Sequence, residues 1–231
     1  MFTSRNAKVL TFASFALAAA VGACSRQTPP PSAEWTKAQQ VERGRQLVSM
    51  GACNDCHTPM KFDPEIGMPV PDMTRMLSGH PEGAPEPSSS LTGHDNAIIG
   101  PTFTSFKAPF GTVFTANLTP DEATGLGAWT EEMFLGAMRT GRHMGGKGRP
   151  IVPPMPWPTL AQQSDADLRA IFSYLRSIPA IRNEVPAPKV PDEALNAIAA
   201  SYDKMLAKMR AAAPKTASAP TAPAQTVMAR R

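Results

Sequence analysis

The sequence predicts an all-α domain. Every element that apolar periodicity and capping chemistry mark out is a helix, and no strand–helix–strand alternation is readable. The clearest helix is capped by Ser164, with Asp167 three residues on as an acidic variant of the capping box. Leu168, Ile171, Phe172 and Leu175 recur in it at helical spacing, and Pro179 blocks its continuation. A second helix starts at Thr130, has Glu131 and Glu132 at its positive end, and carries Met133, Phe134, Ala137 and Met138 as a stripe before Gly141 stops it. A third runs from Asp192 to about Ala213, acidic at its start and basic near its end. Leu195, Ile198, Tyr202, Met205, Leu206 and Met209 lie on one of its faces.

The chain opens as an export signal over residues 1–23. Arg5 and Lys8 supply the positive region, and Val9 to Val21 is an apolar run ending in small residues. That run is shorter than the roughly 20 apolar residues of a transmembrane helix. It ends in Val21-Gly22-Ala23-Cys24-Ser25, which resembles a bacterial lipobox, whose cysteine becomes the lipidated first residue of the mature protein. An ordinary cleavable signal with Cys24 incidental is the alternative. Residues 24–35, including Thr28-Pro29-Pro30-Pro31-Ser32, form a tether. The first helix follows from Thr36 to Met50, with Val41, Leu47 and Val48 apolar and Gly51 as its end. Gly44 inside it costs up to about 1 kcal/mol relative to alanine, which a close crossing with a second helix would explain. The face of the helix after Ser164 is the expected partner.

Next stand Cys53-Asn54-Asp55-Cys56-His57, the C-x-x-C-H signature of c-type haem attachment. Each thiol adds across one vinyl group of the porphyrin, two intervening residues let both sulfurs reach neighbouring vinyls, and His57 is carried under the iron as proximal ligand. A thioredoxin-like redox pair would need a βαβ context. A structural zinc site would need a second pair of ligands. If Cys24 carries lipid and Cys53 and Cys56 carry haem, none of the three cysteines is left for a disulfide.

Residues 59–111 hold nine prolines and six glycines, too many for regular helix, and read as an irregular insertion over one haem edge. At Asn117-Leu118-Thr119-Pro120-Asp121-Glu122, Thr119 as N-cap, Pro120 at the first position and Glu122 form a capping box for a short turn that Gly125 and Gly127 end. After Gly141 comes a basic loop with Arg142, Lys147 and Arg149, read as solvated charges, with haem propionates or an acidic partner as alternatives. His80 and His94 read as solvated loop residues and His143 as a surface histidine. Pro186, Pro188 and Pro191 make a stiff spacer within the segment 181–213, and residues 214–231 read as a disordered tail.

Composition limits the function. Aromatic residues make up only 6% of the chain, so a side-chain core alone would be thin and a buried macrocycle would enlarge it. Net charge is +4, and without Arg5 and Lys8 the balance is 21 basic against 19 acidic residues, which argues against a nucleic-acid partner. With 13 methionines, residue type alone cannot select the second iron ligand. Position selects Met155: in Pro153-Pro154-Met155-Pro156-Trp157 the flanking prolines fix φ and lack N–H donors, so the segment stands as a rigid strap before the terminal helix. Met144 is the lesser candidate, and ligation by His143 a minor one.

On Cys53-Asn54-Asp55-Cys56-His57-Thr58, Asn117-Leu118-Thr119-Pro120-Asp121 with Trp129-Thr130, Arg139-Thr140-Gly141, Pro153-Pro154-Met155-Pro156-Trp157, and Asp167-Leu168 through Tyr174-Leu175-Arg176-Ser177, the chain resembles a monohaem class I c-type cytochrome. The likeness is to the bacterial group of cytochrome c subunits of periplasmic dehydrogenases. It covers about residues 40–180, within a domain placed at 36–180. The resemblance implies a cytochrome c fold with N- and C-terminal helices crossing beside one covalent haem c. It also implies Cys53 and Cys56 as anchors, His57 and Met155 as axial ligands, and no catalytic residue. The gap between His57 and Met155 is longer than in the smallest members of the family.

The expected function is a lipid-anchored electron carrier on the periplasmic face of the membrane. It would take single electrons from a dehydrogenase and pass them to an oxidase or another cytochrome. Ser25 after Cys24 resembles enterobacterial sorting signals, a resemblance that implies the outer membrane. A haem catalyst or gas sensor with an open iron, and a docking subunit that uses the C-terminal helix, are the alternatives.

Overall fold

The computed structural model describes residues 35–93 and 96–212. The expectations for the signal, for Cys24, for His94 and for the tail fall outside these residues.

Helices α1 (Lys37–Met50) and α6 (Asp165–Leu175) form the centre of the domain. Thr36 and Gln39 make a reciprocal capping box on α1, and Ser164 Oγ accepts the amide of Asp167 on α6. The expected crossing is present. Gly44 faces Ala170 so closely that an added Cβ would lie 1.9 Å from the Ala170 carbonyl oxygen and 2.8 Å from Tyr174 Cβ. Helix α3 (Glu131–Thr140) closes the core from a third side, with Phe134 and Phe172 ring centroids 5.2 Å apart. Thr130 caps α3 as the sequence indicates, and Gly141 ends it at φ 65°.

The all-α expectation needs correction, because the segment expected to be irregular folds into small sheets. Strands β1 (Met60–Asp63) and β2 (Met68–Pro71) form a hairpin, with Gly67 at φ 76° in its turn. Strands β3 (Ile98–Ile99), β4 (Ser105–Ala108) and β5 (Gly111–Phe114) form an antiparallel sheet. None exceeds four residues, too short for alternation to show in the sequence. Pro69 and Pro71 sit on an isolated two-stranded ribbon, a place where a strand tolerates a residue without an N–H donor. Helices remain the majority of the regular structure.

Two further expectations change. Residues 120–124 form turns and no helix. Thr119 Oγ1 takes the amide of Ile181 at 3.1 Å and bonds Asn117 Oδ1 at 2.7 Å, so it is consumed before it can cap anything. The spacer after Pro179 is laced to the domain. Asn183, 2% exposed, donates to the carbonyls of Ser78 and His80 at 2.7 and 2.8 Å and accepts from Arg75 Nη2 and the Glu82 amide at 2.9 Å each. Lys189 exchanges two backbone hydrogen bonds with Thr112 and so extends the sheet at β5. These bonds fix where α7 (Asp192–Ala212) begins, and α7 lies back on the domain. Among the described residues, no helix is long and apolar enough to cross a membrane.

Candidate cofactor-binding site

Helix α2 (Cys53–His57) follows α1 after a single left-handed residue, Ala52 at φ 53°. That kink starts a new short helix whose first and fourth residues are the two cysteines, so both thiols leave the same turn. Both are free. Burial pushes the Cys53 thiol up to about 11 and raises that of Cys56 as well. Redox-active C-x-x-C pairs show the opposite, a lowered thiol pKa, so the thioredoxin-like alternative loses its chemistry. Among the described residues, no three His, Cys, Asp or Glu side chains converge as a metal site would require.

His57 is 7% exposed, and its Nδ1 donates to the Ala116 carbonyl oxygen at 2.8 Å. A carbonyl only accepts, so the ring carries its proton on Nδ1 and leaves the Nε2 lone pair for a metal. Burial lowers the pKa of the imidazole, which keeps the ring neutral, as a ligand must be. The surrounding backbone is pinned. Gly79 donates to the His57 carbonyl at 2.8 Å, Leu118 donates to Leu77 at 2.9 Å, and Thr58 Oγ1 takes the Leu77 amide at 2.9 Å. Gly79 has φ 77°, and an added Cβ would lie 2.5 Å from the Thr115 carbonyl, so only glycine brings these segments together here.

The strap begins where Ile151 donates to the Gly141 carbonyl at 2.7 Å. Val152 is buried with Phe106 and Val113 in an apolar cluster against which Cys56 packs. Ile151 packs on the main core, against which Cys53 packs. The strap therefore shares its apolar surroundings with both cysteines. Met155 is half-buried, with its amide 3.3 Å from the Val152 carbonyl. Trp157 opens α5 (Trp157–Leu160) and is fully buried, its indole lying over Gly141, where a Cβ would sit 2.2 Å from the ring. Arg139 holds the far end of the strap through the carbonyls of Ala161 and Gln163 and the carboxylate of Asp165.

The lesser candidates separate on geometry. Met144 is 55% exposed at φ 51° in the short turn α4 (His143–Gly146), and it lines a surface groove with Met133 and Lys147. His143 is only half-buried, but it is no free surface histidine. It packs edge-on to Trp129 with centroids 6.2 Å apart, and burial, aided by the Arg149 charge, lowers its pKa to about 4. Lys147 and Arg149 are exposed and Arg142 is half-buried.

His80 corrects the sequence reading outright. It is fully buried, with Nδ1 2.9 Å from Thr104 Oγ1 and its ring centroid 4.9 Å from that of Phe114. Its amide bonds the Thr115 carbonyl, and this pairing draws it inward from the loop where it was expected to be solvated. Sequence reasoning also missed Ala116 and Asn183. A backbone carbonyl has no signature in the sequence, and a lone Asn in a Pro-rich segment looks like solvent-facing linker.

The residues present fit a covalently held haem. They supply two unpaired thiols on one helical turn, a buried neutral imidazole with only Nδ1 engaged, and apolar surfaces flanking both cysteines.

No protein-family model matches the chain. Among curated proteins it is similar to a subunit of the nicotinate dehydrogenase of Pseudomonas putida, 32% identical over 69% of this chain and 10% of that protein. It is similar to the cytochrome c subunit of the quinone-dependent alcohol dehydrogenase of Gluconobacter oxydans, 26% identical over 68% of this chain and 25% of that subunit. It is also similar to the gluconate 2-dehydrogenase cytochrome c subunit of Pantoea cypripedii, 38% identical over 58% of this chain and 22% of that subunit. The chain thus spans a quarter or less of the length of these three relatives.

Proposed function

Starting from the chain's resemblance to the cytochrome c subunits of bacterial dehydrogenases, we propose that it is a monohaem c-type electron carrier serving such a dehydrogenase. The observation that carries this reading is His57, buried next to two unpaired cysteines, with Nδ1 committed to the Ala116 carbonyl and Nε2 free. Cys53 and Cys56 would hold the haem covalently, each thiol supplying one sulfur and its hydrogen to a vinyl double bond with no net change of oxidation state. Haem supplies a one-electron couple once both axial positions are filled. His57 holds the proximal side, and the Ala116 carbonyl orients its ring. Met155 would supply the second ligand, from a strap whose prolines and buried Trp157 leave it little freedom. A thioether there favours the reduced iron and so raises the potential, which suits a carrier that accepts electrons from a dehydrogenase. The apolar clusters on either side keep water from the ligands.

Export, with Cys24 as a lipid anchor on the periplasmic face of the membrane, the outer one being favoured, completes the reading. A terminal oxidase or second cytochrome is the acceptor. The catalyst alternative needs an open iron and a distal acid–base group. The docking alternative needs a free face on α7, whose first turns are packed on the domain through Leu195 and Ile198 while Met209 and Arg210 line an open cavity. An absorption spectrum of the purified, haem-loaded protein tests the carrier against the catalyst. A six-coordinate low-spin iron that takes up carbon monoxide slowly in the ferrous form supports the carrier; a five-coordinate iron that binds it at once refutes it.

A further inference from the structure

Helix α7 has no part in the reading above, yet its buried stripe rests on the strap. Leu195 and Ile198 pack against the cluster of Phe106, Val113 and Val152, and Val152 stands shortly before Met155 on the strap. One turn further along α7, Tyr202 meets Trp157, which follows Met155 on its other side. Their ring centroids are 4.9 Å apart and the planes lie at 79°, an edge-to-face pair. Trp157 is fully buried, pressed against Gly141 on one side and Tyr202 on another. The two ends of the methionine segment are thus both backed by one helix.

The outer part of α7 differs. Its Leu206, Met209 and Arg210 line an open cavity of about 280 Å³ with Ala161 and Gln162, so the helix is close-packed over the strap and gapped beyond it.

The strap is anchored at its ends, by Ile151 on the Gly141 carbonyl and by Arg139 beyond Trp157, but its middle is held by few backbone bonds. Proline nitrogens donate no hydrogen bonds, and Met155 is fixed by one backbone bond, 3.3 Å long, to Val152. Side-chain packing on Val152 and Trp157 therefore helps to set its position, and α7 contributes to both, through Tyr202 on Trp157 and through Leu195 and Ile198 on the cluster that contains Val152.

We propose that α7 is a clamp on the methionine strap, and that Tyr202, by bracing Trp157, is a positioning residue that keeps the Met155 thioether on the iron. The proposal rests on Met155 being the distal ligand. Helix α7 thereby sets how often the sixth position opens, and so the potential of the carrier and its exclusion of small ligands. Loosening the clamp converts the closed carrier partly into a ligand-binding haem protein, because a minor open state gains population.

The test uses full-length, haem-loaded protein with four variants, read by the long-wavelength band of methionine-ligated ferric haem and by the rate of carbon monoxide binding to the ferrous form. Tyr202→Ala is expected to weaken the band and to raise the carbon monoxide rate roughly two- to twelvefold, the range that one aromatic edge contact commands. Tyr202→Phe keeps the ring edge and loses only the hydroxyl that approaches Trp157, and is expected to lie much closer to the wild type than Tyr202→Ala. Leu206→Ala removes a buried side chain one turn further along the same helix, beside the cavity, and serves as the structural control. It is expected to lower the melting temperature while leaving band and rate unchanged. Tyr202→Ala with wild-type band and rate, or with changes no larger than those of Leu206→Ala, overturns the clamp alone. A wild-type protein lacking the methionine band, and unchanged by Met155→Ala, removes the ligand assignment and the clamp with it.

Discussion

Met155→Ala is expected to abolish the methionine band, to open the ferrous iron to carbon monoxide, and to lower the reduction potential by a sizeable part of the roughly 0.8 V that axial ligation commands across haem proteins. The neighbouring residues offer no substitute. Met144, the other methionine near the basic loop, is 55% exposed and belongs to a separate surface groove, so it is not poised to replace the lost sulfur. His143 is held edge-on to Trp129 and does not swing freely into the vacated position. The expected product is thus an open iron or a water-ligated one, both with less preference for the reduced state than a thioether gives. Redox titration followed by absorbance reads the potential directly. A potential and spectrum equal to the wild type would remove Met155 from the site.

Gly44→Val is expected to cost more than about 3 kcal/mol of folding stability, because the added atoms have nowhere to go. The first of them, Cβ, would lie 1.9 Å from the Ala170 carbonyl oxygen, a backbone atom that cannot rotate away. Relief requires α1 and α6 to separate. Separation uncovers the buried surface of Val48, Leu168 and Ile171, and it shifts α2, which is joined to α1 through Gly51 and Ala52 alone. Chemical unfolding of the haem-loaded protein measures the loss, and the methionine band should weaken with it. A variant of wild-type stability would mean that the helices do not cross at Gly44.

The same position shows how far the sequence could be read. Gly44 is a poor helix former in the middle of a helix, and that local cost is legible as a sign of a long-range contact. The caps at Thr36, Thr130 and Ser164 are equally legible, because capping is a matter of three or four consecutive residues. The C-x-x-C-H run is legible for the same reason. What stayed hidden depends on partners far along the chain. Thr119 has the right neighbours for an N-cap, but its hydroxyl is taken by Ile181, 62 residues away. His80 looks like a loop histidine until Thr104 and Phe114 enclose it. The sheets of residues 60–114 have strands of two to four residues, below the length at which alternation can be told from chance. Within the site, the cysteines and His57 were readable, whereas the Ala116 carbonyl that orients His57 was not, since every residue carries one. Met155 was selected by its prolines, and the structure adds the buried neighbours, Val152 and Trp157, through which α7 reaches it.

The measurement that bears most directly on the whole account is the mass of the mature polypeptide, taken under denaturing conditions after expression in a host that matures c-type cytochromes. The account predicts polypeptide plus a single haem that denaturant does not remove, with Cys53→Ala/Cys56→Ala losing that added mass. A colourless protein whose mass is that of the polypeptide and any lipid alone, with Cys53 and Cys56 still titrating as free thiols, would contradict it.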